Sequence, residues 1–143
     1  MSLIKSIRNF IKECPHLDEF YKSIGVDYLN DEVTSYMIEP VPAEPVLKRY
    51  INGDCKKQYL FVFASKEAYG PDVRENINNI GFYEDFAEWL DGCTENGDLP
   101  DLGGEKEALS ISAQTTGYLF DASVDKAQYR IQCRLIYFER KGE

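Results

Sequence analysis

The chain has 143 residues, 29% of them charged and 13% aromatic, with a formal net charge of -9. That length suits one domain, which buries roughly two thirds of its unfolded surface. The acidic balance excludes a protein built to grip a nucleic-acid backbone, which needs a surplus of Lys and Arg, and no apolar run approaches the roughly 20 residues of a membrane-crossing helix.

Leu3, Ile4, Ile7, Phe10 and Ile11 recur at helical spacing behind Ser2, an N-cap residue, and predict an amphipathic helix ending near Cys14-Pro15. Leu17, Phe20, Tyr21 and Ile24 keep a similar spacing as far as Gly25, which predicts a short second helix or turn, followed by a surface loop from Asp27 to Glu32. Thr34 to Glu39 reads as a strand. The stretch Glu39-Pro40-Val41-Pro42-Ala43-Glu44-Pro45 then carries three prolines within six residues. Proline cannot donate to a ladder, so this stiff, extended segment belongs at a sheet edge or outside the sheet as an arm, and it serves either as a connector or as an interface.

Val46 to Ile51 leans towards strand, and Asn52-Gly53 predicts a tight hairpin into Lys57 to Ser65. There Tyr59, Phe61 and Phe63 alternate with Leu60, Val62 and Ala64, the pattern of a central strand covered on both faces. Gly70-Pro71 stops that strand and Asp72 opens a helical pattern. At about 100° per residue, Val73, Ile77 and Ile80 fall opposite Phe82, Phe86 and Trp89. Two helices separated at Gly81 are the expectation, the second ending near Asp91-Gly92. A long, Gly- and Pro-rich mobile loop is expected from Cys93 to Lys106. Two strands close the chain, Leu109 to Phe120 and Ala127 to Glu139, and in the second Tyr129, Ile131, Cys133, Leu135 and Tyr137 alternate with polar residues. The expected fold is α+β, a mainly antiparallel sheet with helices packed on one face, in a single domain spanning residues 1–143.

The net charge is unevenly placed. Residues 71–107 hold eleven carboxylates against Arg74 and Lys106, while the segments on either side cancel. Such a run is either a solvated face or a surface kept acidic to repel an anion. Cys14, Cys55, Cys93 and Cys133 are widely spaced and form no metal knuckle; free thiols in a reducing compartment are expected, and Met1 to Phe10 lacks a signal-peptide pattern.

Chemistry-bearing motifs are sparse. His16 is the single histidine, beside Pro15, and reads as a helix-end or surface residue rather than a general base. Gly103-Gly104 lacks the Lys and Ser or Thr of a phosphate loop, and Asp98, Asp101 and Glu105 lack the ligand spacing of a calcium loop. Glu84 and Glu88 stand one turn apart, as exposed helix carboxylates commonly do. No catalytic residue, cofactor site or metal site is expected.

Three segments carry a resemblance: Ser35 to Pro45; Gly81-Phe82-Tyr83-Glu84-Asp85-Phe86-Ala87-Glu88-Trp89-Leu90; and Thr115-Thr116-Gly117-Tyr118-Leu119-Phe120 leading into Tyr129 to Tyr137. Together they resemble a family of minor structural (minor capsid) proteins encoded in phages and prophages of Gram-positive bacteria. The order of helix, sheet, helix and hairpin is similar to that of tail terminator proteins of long-tailed phages, which cap the tail tube with a ring and offer a docking surface to the head. The resemblance implies a non-enzymatic virion protein at the tail or head-tail junction, assembled in the host cytoplasm. Its implied partners are copies of itself, a tail-tube protein and a head-connector protein, without sequence-specific nucleic-acid binding and without a membrane. Some family members carry the name chloramphenicol resistance protein, but the His-His-x-x-x-Asp-Gly segment that such an acetyltransferase needs is missing here. Glu39, Pro40, Pro42, Glu44 and Pro45, with Arg130 and Arg134 on one face of the last strand, are the candidate subunit interface. A small adaptor or inhibitor acting on a host protein is the alternative, separable by solution mass.

Overall fold

In a computed structural model, which describes residues 2–17, 24–29 and 35–141, the first apolar stripe forms α1 (Leu3–Ile11). Ser2 caps it by accepting from the Lys5 backbone N–H at 3.3 Å, and Ile7 and Ile11 are fully buried. The expected helix or turn up to Gly25 is corrected where it can be seen. Ile24–Val26 is a short strand, β1, parallel to β2 (Ser35–Val41), and residues 18–23 and 30–34 lie outside the described region. Three residues are too few to display an alternation. Burial of Ile24, and the Arg8 Nε–H donated to its carbonyl at 2.6 Å, tie the strand to α1.

The remaining elements are β3 (Val46–Arg49), β4 (Cys55–Ala68), α2 (Val73–Asn96), β5 (Lys106–Ala113), β6 (Tyr118–Ala122) and β7 (Lys126–Glu139). They complete an α+β fold with one mostly antiparallel mixed sheet of seven strands among the described residues. The long strands β4 and β7 pair along their whole length from Cys55↔Glu139 to Ala68↔Lys126. Each offers its outer edge to two shorter strands: β4 to β2 and β3, β7 to β5 and β6. The Asn52-Gly53 turn joins β3 to β4 as expected, with Gly53 at φ 96° and Asn52 Oδ1 accepting from the Asp54 N–H at 3.1 Å.

Both helices cover one face. Ile7 and Ile11 of α1, together with Tyr83, Phe86 and Leu90 of α2, share a core with Phe61, Phe63, Ile131, Cys133 and Leu135 of the sheet. On the other face Val62 and Ala64 are buried in a small cluster with Met37, flanked by Leu29 and Val41. The centre of β4 is thus covered on both sides, by helices on only one.

Two expectations about the second half are corrected. α2 is one helix through Gly81, running from the Asp72 N-cap to the left-handed Gly97 at φ 76°. A break would be required only if both apolar sets had to be buried. Tyr83, Phe86 and Leu90 are buried, whereas Val73, Ile77 and Ile80 stay exposed, so a straight helix satisfies the core at the cost of about 1 kcal/mol for an interior glycine. The expected long loop shrinks to residues 97–105, with Pro100 and Leu102 buried.

The predicted strand Leu109 to Phe120 divides into β5 and β6. Between Ala113↔Cys133 and Tyr118↔Arg130 this side of the ladder has two more residues than β7 does. The excess bulges inward and brings Gly117 against the Tyr83 side chain, where a Cβ would collide with it. Tyr83 is buried, its hydroxyl 2.6 Å from Ser65 Oγ and donating to the Tyr129 carbonyl at 3.0 Å. Tyr83→Phe leaves the buried Ser65 hydroxyl without that partner and is expected to cost about 1–3 kcal/mol, checked by urea unfolding against Ser65→Ala and the double variant. If the two single losses simply add, the pair is not coupled.

Candidate interaction surfaces

On the face away from the helices, Gln128, Arg130, Gln132 and Arg134 alternate with the buried residues of β7. Arg130 stands opposite Ala64, and the small Ala64 leaves room for the guanidinium to cross β4 towards β2. There Arg130 Nη1 meets Glu39 Oε2 at 3.1 Å. Gln128, with its amide oxygen turned to the guanidinium, accepts from Nη2 and Nε at 3.1 and 2.9 Å, and the Phe120 ring of β6 lies 3.8 Å beneath Cζ. One side chain therefore spans four strands.

Arg134 Nη1 lies 3.5 Å from Gln58 Oε1, while Gln58 Nε2 donates to the Glu44 carbonyl at 2.8 Å and the Gln58 N–H to the Pro45 carbonyl at 2.9 Å. The proline stretch follows the outer edge of β4, with Pro40 inside β2 beyond the end of β1 and Pro42 to Pro45 exposed on the way to β3. Thus Glu39, Arg130 and Arg134 share the open face, Pro40 alternates to the other face of β2, and Pro42, Glu44 and Pro45 follow the exposed edge beside β4. Both arginines already have partners there, so this face holds the fold as well as presenting a surface. Arg130→Glu puts two carboxylates where the ion pair stood and is expected to lower stability by about 1–3 kcal/mol in urea unfolding, with partial recovery on adding Glu39→Arg. A change below about 0.3 kcal/mol would mean the pair is ornamental, as many surface pairs are.

Two further patches bear no mark of a surface in the sequence. The β3–β4 hairpin exposes Leu47, Tyr50 and a fully exposed Ile51 beside Lys48 and Arg49. The outer stripe of α2 exposes Val73 (69%), Ile77 (62%) and Ile80 (44%), and at the same helical angle continues as Glu84, Glu88, Asp91 and Glu95, all exposed. The helical spacing of Val73, Ile77 and Ile80 was the available signal, and it carries no sign of whether the set faces a core or solvent.

His16, Glu84 and Glu88 are all exposed, as are Asp98, Asp101 and Glu105. Among the described residues no group of three or more His, Cys, Asp or Glu is placed to hold a metal, and no helix is long and apolar enough to cross a membrane. Among the described residues an open hollow lies between α1 and the α2–β5 connection, lined by Phe10, Trp89 and Leu99. The four cysteines are free and buried. Burial pushes the Cys14 thiol from its ordinary 9.0 up to about 11 and raises Cys133 further. At pH 8 the Cys14 thiolate is then about 100-fold scarcer than in the unfolded chain, so alkylation in the native protein is expected to be slower by that order. The unfolded chain gives up these protons above about pH 9 while the folded one keeps them, so stability falls as pH rises through that range. Peptide mass mapping after brief alkylation, native against urea-unfolded, checks the first statement, and urea midpoints at pH 8 and pH 10 check the second.

No family model matches the chain, and no curated protein matches it.

Proposed function

We propose that this chain is a phage virion protein, a tail terminator or head-tail joining component that closes into a ring on the tail tube. The observation that carries the reading is the three-segment resemblance, Ser35 to Pro45, Gly81 to Leu90, and Thr115 to Phe120 leading into Tyr129 to Tyr137, joined to a mostly antiparallel mixed sheet whose described helices lie on one face. The surface is consistent with packing against other protein copies: the proline strap, the hairpin and the outer stripe of α2 all present side chains to solvent. The exposed carboxylates Asp98, Asp101 and Glu105 suit a passage that DNA crosses without adhering, because like charge raises the energy of a bound phosphate backbone.

A virion carrying the gene, with and without it, provides the test. Loss of the protein is expected to give tails of irregular length that fail to join heads, and labelled protein should locate at the head-tail junction in electron micrographs. Normal tails and full infectivity without the gene would rule the reading out and favour an adaptor acting on a host protein.

A further inference from the structure

The hairpin tip and the outer stripe of α2 carry complementary surfaces at opposite ends of the same sheet. β4 is 14 residues long, about 43 Å at strand rise. The hairpin projects before Cys55, where β4 begins. The start of α2 is held beyond its far end, with Asn79 Nδ2 donating to the Ala68 carbonyl and Asn76 Nδ2 to the Gly70 carbonyl, both at 2.9 Å. A chain therefore cannot lay its hairpin tip on its own Val73, Ile77 and Ile80.

The patterns match in order as well as in kind. Along α2 the outer stripe is apolar over Val73, Ile77 and Ile80 and then acidic over Glu84, Glu88, Asp91 and Glu95. Along the hairpin the tip is apolar at Ile51 and Tyr50, and the stem behind it is basic at Lys48, whose Nζ lies 5.1 Å from the Tyr50 ring centre, whereas Arg49 alternates to the other face and meets Cys55 Sγ at 3.5 Å. Ile77 to Glu88 spans about 16 Å at helical rise, and Ile51 to Lys48 about 10 Å at strand rise, so side chains of ordinary length bring both pairings within reach at once. The stripe continues its acids where a hairpin stem would lie. Among the described residues no ion pair engages Lys48, Glu84 or Glu88; Lys48 lies over the Tyr50 ring, and Tyr50 packs against Phe138 with ring centroids 5.8 Å apart, which holds the tip in place.

We infer that the β3–β4 hairpin of one copy docks on the outer stripe of α2 of a second copy, Ile51 and Tyr50 against Val73, Ile77 and Ile80, and Lys48 against Glu84 and Glu88. The two surfaces differ, so the contact is head-to-tail, and repetition gives a ring where the rotation closes. The inference rests on the ring-forming reading above for its biological setting and deepens it by naming the subunit contact.

Two exposed substitutions test it, since neither touches the core: Ile51→Asp on the hairpin and Ile77→Asp on the helix. Native mass spectrometry and sedimentation at rising protein concentration are expected to show multimers of the unmodified chain and monomers of each variant, with unchanged circular dichroism. An equimolar mixture should give a heterodimer and nothing larger, because only one intact hairpin and one intact stripe remain to meet. Separately, Ile51→Cys with Ile77→Cys in one chain should give a disulfide-linked ladder under mild oxidation, the native cysteines being buried. Multimers that survive both Asp substitutions would overturn this contact and leave the ring itself standing. A chain that stays monomeric at millimolar concentration and yields no ladder would overturn the contact too, while the tail-length experiment judges the virion role independently.

Discussion

Phe63→Ala is expected to cost about 3–5 kcal/mol, a large part of the 5–15 kcal/mol by which domains are ordinarily stable. Phe63 is fully buried at the middle of β4, where the sheet meets α2. Its ring centroid lies 4.6 Å from that of Phe86, 5.5 Å from Tyr36, 6.3 Å from Phe82 and 6.4 Å from Tyr83, so it joins β2, β4 and α2 in one aromatic stack. Truncation removes the ring's transfer energy and leaves a cavity among rigid neighbours that collapse poorly. Urea unfolding gives the measurement, with Phe63→Leu as the milder control. A loss below about 1 kcal/mol would mean that the stack is not the centre of the core.

Gly117→Ala is expected to destabilise by about 1–3 kcal/mol, although it adds a single methyl at a half-exposed connector. The added carbon would meet the Cβ of Tyr83 first and its ring next, and a Cβ cannot be moved by changing rotamer. Relief therefore requires the β5–β6 connection to lift from α2. That movement would strain the Thr115 Oγ1 contact with the Gln132 N–H at 3.1 Å and the Gln114 N–H donated to the Gln132 carbonyl at 2.6 Å. Thermal unfolding of Gly117→Ala beside Gly81→Ala separates the two glycines, because a Cβ at Gly81 meets open space and adds helix propensity. Gly81→Ala should raise the midpoint and Gly117→Ala lower it; a neutral Gly117→Ala would show that the connector moves freely.

Locally encoded features were legible before any fold was known. The Ser2 cap with its apolar stripe, the Asn52-Gly53 turn, the alternation along β7 and the apolar β4 each depend on neighbours within a turn or a strand, where propensity and periodicity act directly. The α+β class follows from their order. Interaction surfaces were less legible, because Leu, Ile, Lys and Glu serve core, face and contact alike and no spacing separates these uses.

Other features were decided only by contacts distant in sequence. Tyr83 bonds Tyr129 across 46 positions and Arg130 bonds Glu39 across 91. The first anchors the Tyr83 side chain against which Gly117 packs, where the expected strand divides into β5 and β6; the second converts an apparently free arginine into the brace of the open face. The continuity of α2 has the same origin. Periodicity shows that Val73, Ile77 and Ile80 share a side of the helix, but whether that side meets a core depends on which side α2 turns to the sheet. On this chain α2 turns Tyr83, Phe86 and Leu90 to the sheet, so three apolar residues that look like core in one dimension lie on its outer side and face solvent in three.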